Sequence, residues 1–314
     1  MPPVSERRRV IAFLVLAAAS LLPWIGPATA LAGGIGFSLV VGNPAPARTA
    51  RWSKVLLQAS VVGLGFGLSL GTVLRVGAGS AVYTVVGIAV TLATGALLGR
   101  IAGTSGPLST LISFGTAICG GSAIAAMAPV VKAKSDEIAV SLATVFTLNA
   151  AALVLFPMIG HVLHLGQGEF GLWAGLAIHD TSSVVGAASA FGPEALVVAT
   201  TVKLTRALWI MPCVLGAAFL TRSDQKAKLP LFIAGFVAAA AIRTLLPSLQ
   251  PLWGVLVAVA RQSLVLTLFL IGTGLTRDVL RRVGVRPLAQ GVVLWLLVSG
   301  ATLAAIVTGL IPAL

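Results

Sequence analysis

The chain has 314 residues, of which 58% are hydrophobic and only 9% are charged, and its formal net charge is +13. A soluble domain of this length needs far more charge to cover its surface, so the composition excludes a soluble enzyme or binding module. Apolar runs of about 20 residues recur along the chain, which is the length that a helix needs to cross a bilayer, and they do not alternate as barrel strands do. The predicted fold class is an all-α polytopic membrane protein.

The apolar runs follow one another with only short polar or charged loops between them. They cover residues 10–25, 27–42, 54–72, 79–99, 106–131, 136–163, 170–190, 194–221, 229–248, 252–276 and 287–312. These lengths predict about 9–11 transmembrane helices. No stretch of soluble composition intervenes, so we predict a single transmembrane transporter domain over residues 1–314.

The basic residues lie mostly between the apolar runs, which is the pattern of the positive-inside rule. No basic patch with interleaved aromatic residues is present, so we predict no nucleic-acid partner. If Arg7, Arg8 and Arg9 are cytoplasmic, the later basic loops are also cytoplasmic when runs 106–131 and 170–190 enter the membrane and turn back. Two full but broken crossings are the alternative.

Two internal echoes favour a two-fold design. Residues 117–126 resemble residues 177–186, and residues 65–69 resemble residues 272–276. In the orientation above, both pairs are inverted. Inverted repeats with broken helices that meet near the middle of the bilayer are common in secondary transporters. We therefore predict an inverted-repeat transporter architecture with two broken or re-entrant helices.

The first irregular segment contains Gly120, Gly121 and Ser122. Adjacent glycines weaken a helix, and opened backbone inside a membrane must line a cavity or be buried in protein. The free N–H groups at the start of the next half-helix can bind an anion, and Thr116 and Ser122 add hydroxyl groups. Close packing of small residues between helices is the alternative.

The second irregular segment is His179-Asp180-Thr181-Ser182-Ser183, a polar run inside an apolar segment. Asp180 is the only acid that we place within the membrane, where it could bind a proton or a cation, and His179 could relay a proton. A structural pair of Asp180 with a basic residue is the alternative. A hydrolytic triad is disfavoured, because adjacent residues point to different faces of a helix.

Lys203 and Arg206 are three residues apart and therefore share one helix face. Two cations on one face within a membrane are costly unless acids or an anionic ligand neutralise them. Asp180 neutralises only one, so the excess positive charge favours an oxyanion. The alternative is that both side chains extend to the membrane interface.

Trp52, Trp173, Trp209 and Trp253 lie close to predicted span ends or beside the second irregular segment. Tryptophan is enriched at membrane–water interfaces, so we predict that these four side chains are interface anchors.

Three segments resemble a known family. GTAICGGSAIAAMAPVVKAK (115–134), LWAGLAIHDTSSVVGAA (172–188) and VKLTRALWIMP (202–212) are similar to the signature segments of a family of bacterial inner-membrane proteins described as sulfate exporters, the YeiH type. The resemblance implies a broken-helix, inverted-repeat transporter of the cation:proton antiporter and anion transporter superfamily. The matching positions are Gly120, Gly121, Ser122, His179, Asp180, Thr181, Ser182, Lys203 and Arg206.

We therefore expect a multi-pass secondary transporter of the bacterial inner membrane that moves a small anion such as sulfate or a sulfonate, coupled to H⁺ or Na⁺. In this hypothesis Gly120, Gly121, Ser122, Thr181, Ser182, Ser183, Lys203 and Arg206 bind the anion, and His179 and Asp180 couple the ion. The alternatives are an anion channel and a membrane protein of structural role. No nucleotide, zinc or redox motif occurs, so we predict no enzyme activity, no cofactor and no metal, and we keep a homodimer open.

Overall fold

A computed structural model of the protein describes residues 6–221, 231–274 and 284–312. The described residues form α-helices and one short 3₁₀ turn, Pro247–Leu249, and contain no strand. The helices are α1 Glu6–Ala19, α2 Pro27–Val40, α3 Pro46–Gly65, α4 Leu70–Ala102, α5 Gly106–Ala117, α6 Gly121–Met127, α7 Ser135–Val162, α8 Gln167–Ala177, α9 Thr181–Phe191, α10 Pro193–Leu208, α11 Ile210–Thr221, α12 Leu231–Leu245, α13 Gln250–Thr273 and α14 Val285–Val307.

Five stretches of helix are long and apolar enough to cross a membrane. They are Leu70–Ala102, Asp136–Val162, Pro193–Phe219, Pro247–Thr273 and Val285–Val307, and Thr29–Val40 and Leu231–Leu245 are shorter apolar helices. The fold class, an all-α polytopic membrane protein, is therefore confirmed. The total of about 9–11 spans stays a prediction, because the half-helices described below are each too short to cross alone.

Helix α4 shows how the apolar surface is distributed. Val82, Val86, Val90 and Leu97 lie on this helix and are all more than half exposed. Their spacing of four, four and seven residues places them on one face of the helix. An apolar stripe that no protein covers is what a lipid-facing helix requires, and it is unfavourable in water.

Contacts divide the chain into two compact units. The first contains Met1–Leu74 and Pro230–Asp278, and the second contains Arg75–Leu229 and Val279–Leu314. The prediction of a single domain over residues 1–314 was made from uniform composition. Composition does not resolve such units, because both are equally apolar.

In the first unit, glycines let helices approach closely. A Cβ atom built on Gly34 of α2 would lie 2.2 Å from the carbonyl oxygen of Phe269 on α13. One built on Gly63 of α3 would lie 2.7 Å from the Cβ of Ala260, also on α13. Small residues at such contacts are the usual means of helix association in lipid. The predicted echo of residues 65–69 and 272–276 falls at the ends of α3 and α13, and residues 275–276 lie outside the described residues.

The second unit has an aromatic core around Trp173 on α8, which is only 1% exposed. Its ring stacks on Phe156 with ring centroids 4.1 Å apart, and its indole N–H donates a hydrogen bond to the carbonyl of Ser299 at 3.1 Å. The prediction that Trp173 anchors the membrane interface is therefore wrong. Trp253 is also buried, at 5% exposed, whereas Trp52 is 58% exposed. Proximity to a span end does not show which way a side chain points.

Glycines also bring α8 close to α10 in the second unit. A Cβ atom built on Gly171 would lie 2.8 Å from the carbonyl oxygen of Ala195, and one on Gly175 would lie 2.9 Å from Val202. This close approach matters for the site, because Val202 is followed at once by Lys203 and the last turn of α10 contains Arg206. Both cations are thereby carried to the end of α8.

Candidate functional site

The first irregular segment is a break between α5 and α6. Helix α5 ends at Ala117 and α6 begins at Gly121. Between them Ile118 leaves the helical conformation, with φ −123° and ψ −84°. Gly120 has φ +63°, in the left-handed region that glycine adopts most easily. The predicted break at Gly120 and Gly121 is therefore present, and its backbone conformation explains why a glycine occupies position 120.

The second irregular segment is a break between α8 and α9. Helix α8 ends at Ala177, and Ile178 is extended, with φ −82° and ψ 136°. Asp180 is also extended and precedes Thr181, the first residue of α9. His179 and Asp180 therefore lie between two half-helices. The argument that they occupy different faces of one helix assumed a continuous helix, and that assumption was wrong.

The two breaks lie against each other. A Cβ atom built on Gly120 would lie 3.3 Å from the Cβ and 3.5 Å from the Cα of Asp180. A side chain at position 120 would press on Val145 of α7 as well, at 3.4 Å. The ends of four half-helices thus meet around Gly120 and Asp180, and the segments that echo each other in sequence are neighbours in space.

Lys203 and Arg206 reach the carbonyl groups that the breaks leave free. The Lys203 ammonium donates a hydrogen bond to the carbonyl of Ile178 at 2.5 Å. The Arg206 guanidinium donates from Nε to the carbonyl of Ala117 at 2.5 Å, and from Nη1 to the carbonyl of Leu176. The two cations therefore stand at the C-terminal ends of α5 and α8, where the helix dipole favours positive charge.

The sequence left two interpretations of Lys203 and Arg206, which were binding of an oxyanion and extension of both side chains to the membrane interface. Lys203 is 0% exposed and Arg206 is 2% exposed, so neither side chain extends to an interface. The N–H groups of Lys203 and Arg206 were expected to bind an anion. Lys203 Nζ and Arg206 Nε and Nη1 instead donate to backbone carbonyl groups. Arg206 Nη2 differs, because it is buried and has no hydrogen-bond partner in the described ranges. Sequence reasoning missed the capping role, although a broken helix always leaves carbonyl groups without partners.

Asp180 is the N-cap of α9. Its carboxylate accepts hydrogen bonds from the backbone N–H and the hydroxyl of Ser182, the former at 3.0 Å. The backbone N–H of Asp180 donates to the amide oxygen of Asn149 on α7 at 3.3 Å. Within the described part of the chain, the Asp180 carboxylate forms no ion pair with Lys203 or Arg206. The alternative of a structural pair between Asp180 and a basic residue is therefore not present as a direct salt bridge, although the charges of Asp180 and Lys203 interact.

The predicted hydroxyl ligands differ in their surroundings. Ser122 is exposed at the start of α6, and its hydroxyl lies 2.8 Å from the sulfur of Cys119. Thr181 and Ser183 are buried in the first turn of α9, and Ser182 between them is partly exposed. The structure brings the second group to the place beside Asp180 where the two helix breaks meet, which is called the crossing below. Ser122 instead faces away from the buried interior.

Several buried polar atoms of the second unit have no hydrogen-bond partner among the described residues. Thr84, Thr104, Thr200 and Gln290 each contribute one such atom, and the others are both ring nitrogens of His179, the hydroxyl of Thr116, Nδ2 of Asn149, Nη2 of Arg206 and Nε1 of Trp295. Such atoms are rare in folded proteins and point to a bound ligand or ordered water. The latter side chains are also tied to the breaks, since Thr116 precedes Ala117, Asn149 binds Asp180 and the Trp295 ring centre is 6.2 Å from that of His179.

Two of these residues enlarge the predicted site. Asn149 is a lone polar residue in mid-span, so it carries a local signal in the sequence. Trp295 carries none, because it lies in an ordinary apolar run, and only the packing of α14 reveals its position near His179.

Comparison with known proteins identifies relatives over nearly the whole length of the chain. Residues 10–291 match the family described as conserved hypothetical protein 698. A UPF0324 membrane protein of Geobacter sulfurreducens is 62% identical over 294 residues, which cover 94% of this chain and 95% of the relative. A UPF0324 membrane protein of Bdellovibrio bacteriovorus is 51% identical over 95% of this chain and 94% of its own. One from Bacteroides thetaiotaomicron is 50% identical over 90% and 86%. No solved structure matches.

Proposed function

Since the chain belongs to the family of conserved hypothetical protein 698, whose relatives here are named as membrane proteins, we propose that it is a secondary transporter of a small anion. The observation that carries this proposal is the meeting of two broken helices around Gly120 and Asp180, inside an apolar protein. Irregular backbone at membrane depth is tolerated where it is buried in protein or lines a cavity, and such crossings hold the substrate site in several transporter folds.

The charge at the crossing supports an anionic substrate. Two half-helices end at the crossing, and each end carries a partial charge of about −0.5. Two others begin there with about +0.5 each, so the four helix dipoles cancel. In their ionised forms Lys203 and Arg206 contribute two positive charges, and Asp180 contributes one negative charge. The remaining excess of one positive charge is costly in lipid unless an anion neutralises it. The N-terminal end of α6 supplies N–H donors of the kind that bind oxyanions, whereas the Asp180 carboxylate already caps the N-terminal end of α9.

The polar atoms without protein partners suggest how such an anion is held. Arg206 Nη2 and Asn149 Nδ2 are hydrogen-bond donors, and Thr116 supplies a hydroxyl group. In this proposal they bind the anion together with Thr181, Ser182 and Ser183 of α9. Lys203 and the rest of Arg206 hold the two carbonyl ends in place, so these cations attract the anion by charge more than by direct contact.

Coupling to H⁺ or Na⁺ is assigned to Asp180 and His179. Asp180 is the carboxylate at the crossing, and it already accepts two hydrogen bonds from Ser182, so a proton or a sodium ion would compete for the same oxygens. The His179 ring is fully buried, and neither of its nitrogens has a hydrogen-bond partner among the described residues. The resemblance to the sulfate exporter segments supports sulfate or a sulfonate as the first substrates to test, and export across the bacterial inner membrane as the direction.

The test is anion flux in proteoliposomes that contain the purified protein. Labelled sulfate is placed on one side, and flux is measured with and without a pH or sodium gradient. We expect saturable flux that responds to one of the gradients. We expect Asp180→Ala to abolish the response, and Glu194→Ala, which removes an exposed carboxylate in the first turn of α10, to leave it unchanged.

Other outcomes of the same experiment decide against the proposal. Flux that carries net current, ignores both gradients and saturates only weakly would identify an anion channel. No flux above protein-free liposomes for sulfate, sulfonates or other small anions would leave the structural role as the better explanation.

A further inference from the structure

The first unit contains an open cavity that is separate from the crossing of broken helices. Its volume is about 340 Å³. It is lined by the turn after α3, the last turn of α12 and one face of α13: Phe66, Gly67, Arg243, Gln250, Trp253, Gly254, Val257, Ala258 and Arg261. Nothing in the proposed transport mechanism uses these residues.

Local structure fixes the apolar wall of this cavity. The 3₁₀ turn Pro247–Leu249 reverses the chain between α12 and α13. The indole N–H of Trp253 donates a hydrogen bond to the carbonyl of Leu246 at 2.9 Å, just before that turn. Phe66 stacks flat on the Trp253 ring, with centroids 5.1 Å apart and an interplanar angle of 5°. The wall is therefore held by a hydrogen bond at one end and by a ring stack at the other.

The polar side of the cavity carries two arginines that have no partner in the part of the chain that the structure describes. Neither Arg243 nor Arg261 forms an ion pair or hydrogen bond with any described residue, and no carboxylate lines the cavity. Among the described residues of the first unit the one acid is Glu6, which is exposed at the start of α1.

Arg261 is an exposed side chain in the middle of an apolar helix. It lies on the candidate span Pro247–Thr273. At the rise of a regular helix, about 1.5 Å per residue, it is about 16 Å along the axis from Gln250. An arginine at such a depth in a membrane helix usually faces the protein or a polar cavity, and it has a partner. The cavity supplies the polar surroundings, and the described residues supply no acid.

We propose that this cavity binds a tetrahedral oxyanion, a phosphoryl or sulfo group, between the guanidinium groups of Arg243 and Arg261. Two planar guanidinium groups suit the oxygens of such a group, and the Gln250 amide is a further polar group in the lining of the cavity. The Phe66–Trp253 stack and Val257 form an apolar surface for whatever the group is attached to. This binding site does not depend on the transport proposal.

Two sources share this chemistry. One is the head group of an anionic phospholipid, whose acyl chains would lie in the bilayer beside α13. The other is a free inorganic anion that reaches the cavity from water. The experiment therefore has two arms, which use the same purified full-length protein in detergent.

The lipid arm measures retention of phosphatidylglycerol against phosphatidylcholine by native mass spectrometry. The free-anion arm measures binding of inorganic sulfate and inorganic phosphate by calorimetric titration. The variants are Arg261→Gln on α13 and Arg243→Gln on α12. The matched control is Arg51→Gln, which removes an exposed arginine of α3 in the same unit that does not line the cavity. A single symmetrical peak in size-exclusion chromatography shows that each variant is folded.

We expect wild type to bind in one arm, and each cavity variant to weaken that binding at least about tenfold, since a lost charge-assisted hydrogen bond to an anion has this effect. Arg51→Gln should bind as wild type does. Failure of wild type to bind in either arm overturns the proposal whether or not the variants fold. Binding that Arg51→Gln weakens as much as the cavity variants do also overturns it, because the effect then reflects overall charge.

Discussion

Lys203 and Arg206 lie one helical turn apart on α10 and both bind the C-terminal end of α8, but only Arg206 also binds the end of α5. Lys203 donates to the carbonyl of Ile178 after α8, whereas Arg206 donates to the carbonyl of Ala117 at the end of α5 and also to Leu176 on α8. A single turn of α10 thereby ties the two breaks together. Their roles should therefore be separable by substitution, because Arg206 connects two elements and Lys203 connects one.

The first prediction concerns the stability that Arg206 provides. Arg206→Met leaves the carbonyl groups of Ala117 and Leu176 without donors in a buried site, and a buried unsatisfied group costs about 1–3 kcal/mol. We expect a lower midpoint in thermal unfolding followed by intrinsic fluorescence. Lys203→Met should lower it less. Arg100→Gln, which removes an exposed arginine from the last turn of α4, is the control and should leave it unchanged. Equal midpoints for Arg206→Met and Arg100→Gln would contradict the capping role.

The second prediction concerns Gly120. Its φ of +63° is strained for a residue with a side chain, and a Cβ atom there would lie only 3.3 Å from the Cβ of Asp180, so Gly120→Ala should strain the break and shift Asp180. We expect loss of anion flux in proteoliposomes, at an expression level that remains measurable. Gly87→Ala is the control, because a Cβ atom on this α4 glycine meets nothing within 4 Å, and alanine favours a helix by about 1 kcal/mol over glycine. Full flux in Gly120→Ala would show that the break tolerates a side chain.

The third prediction separates the two roles of Asp180. Asparagine also caps helix N-termini well, so Asp180→Asn should leave the unfolding midpoint near that of wild type, whereas Asp180→Ala should cost about 1 kcal/mol. If the carboxylate carries the coupling ion, both variants should lose the dependence of flux on the pH or sodium gradient. Flux is measured for the three proteins over a range of external pH. A gradient response that survives in Asp180→Asn would assign coupling to another residue, with His179 the first to substitute.

The fourth prediction concerns the two kinds of tryptophan. Trp173→Ala removes a buried ring from its stack on Phe156 and breaks the hydrogen bond to Ser299, and such truncations cost about 3–5 kcal/mol. Trp52→Ala changes a side chain that is 58% exposed and should change stability much less. The comparison is made by chemical denaturation in the same detergent. If Trp52→Ala proved the more damaging change, the aromatic core of the second unit would not be the source of its stability.

The sequence predicts the fold class and both helix breaks, because hydropathy and a polar run in an apolar segment are local signals. It also predicts that Asp180, Lys203 and Arg206 belong to one buried region, since unpaired charges in lipid must gather. The partners of those charges are not predictable in the same way. They depend on which carbonyl groups the breaks expose and on how closely Gly175 lets α8 approach α10. Trp295 and the division into two units are tertiary features without a local pattern.

The first unit is assembled from both halves of the chain, and this has a consequence for biogenesis. Helices α2 and α3 leave the ribosome with the contact surfaces of Gly34 and Gly63 exposed, and their partner α13 is made some 200 residues later. At ordinary rates of synthesis, about 5–20 residues per second, the delay is roughly 10–40 s. During that time the early helices lack their final neighbour, so the rate of translation sets how long this unit stays incomplete.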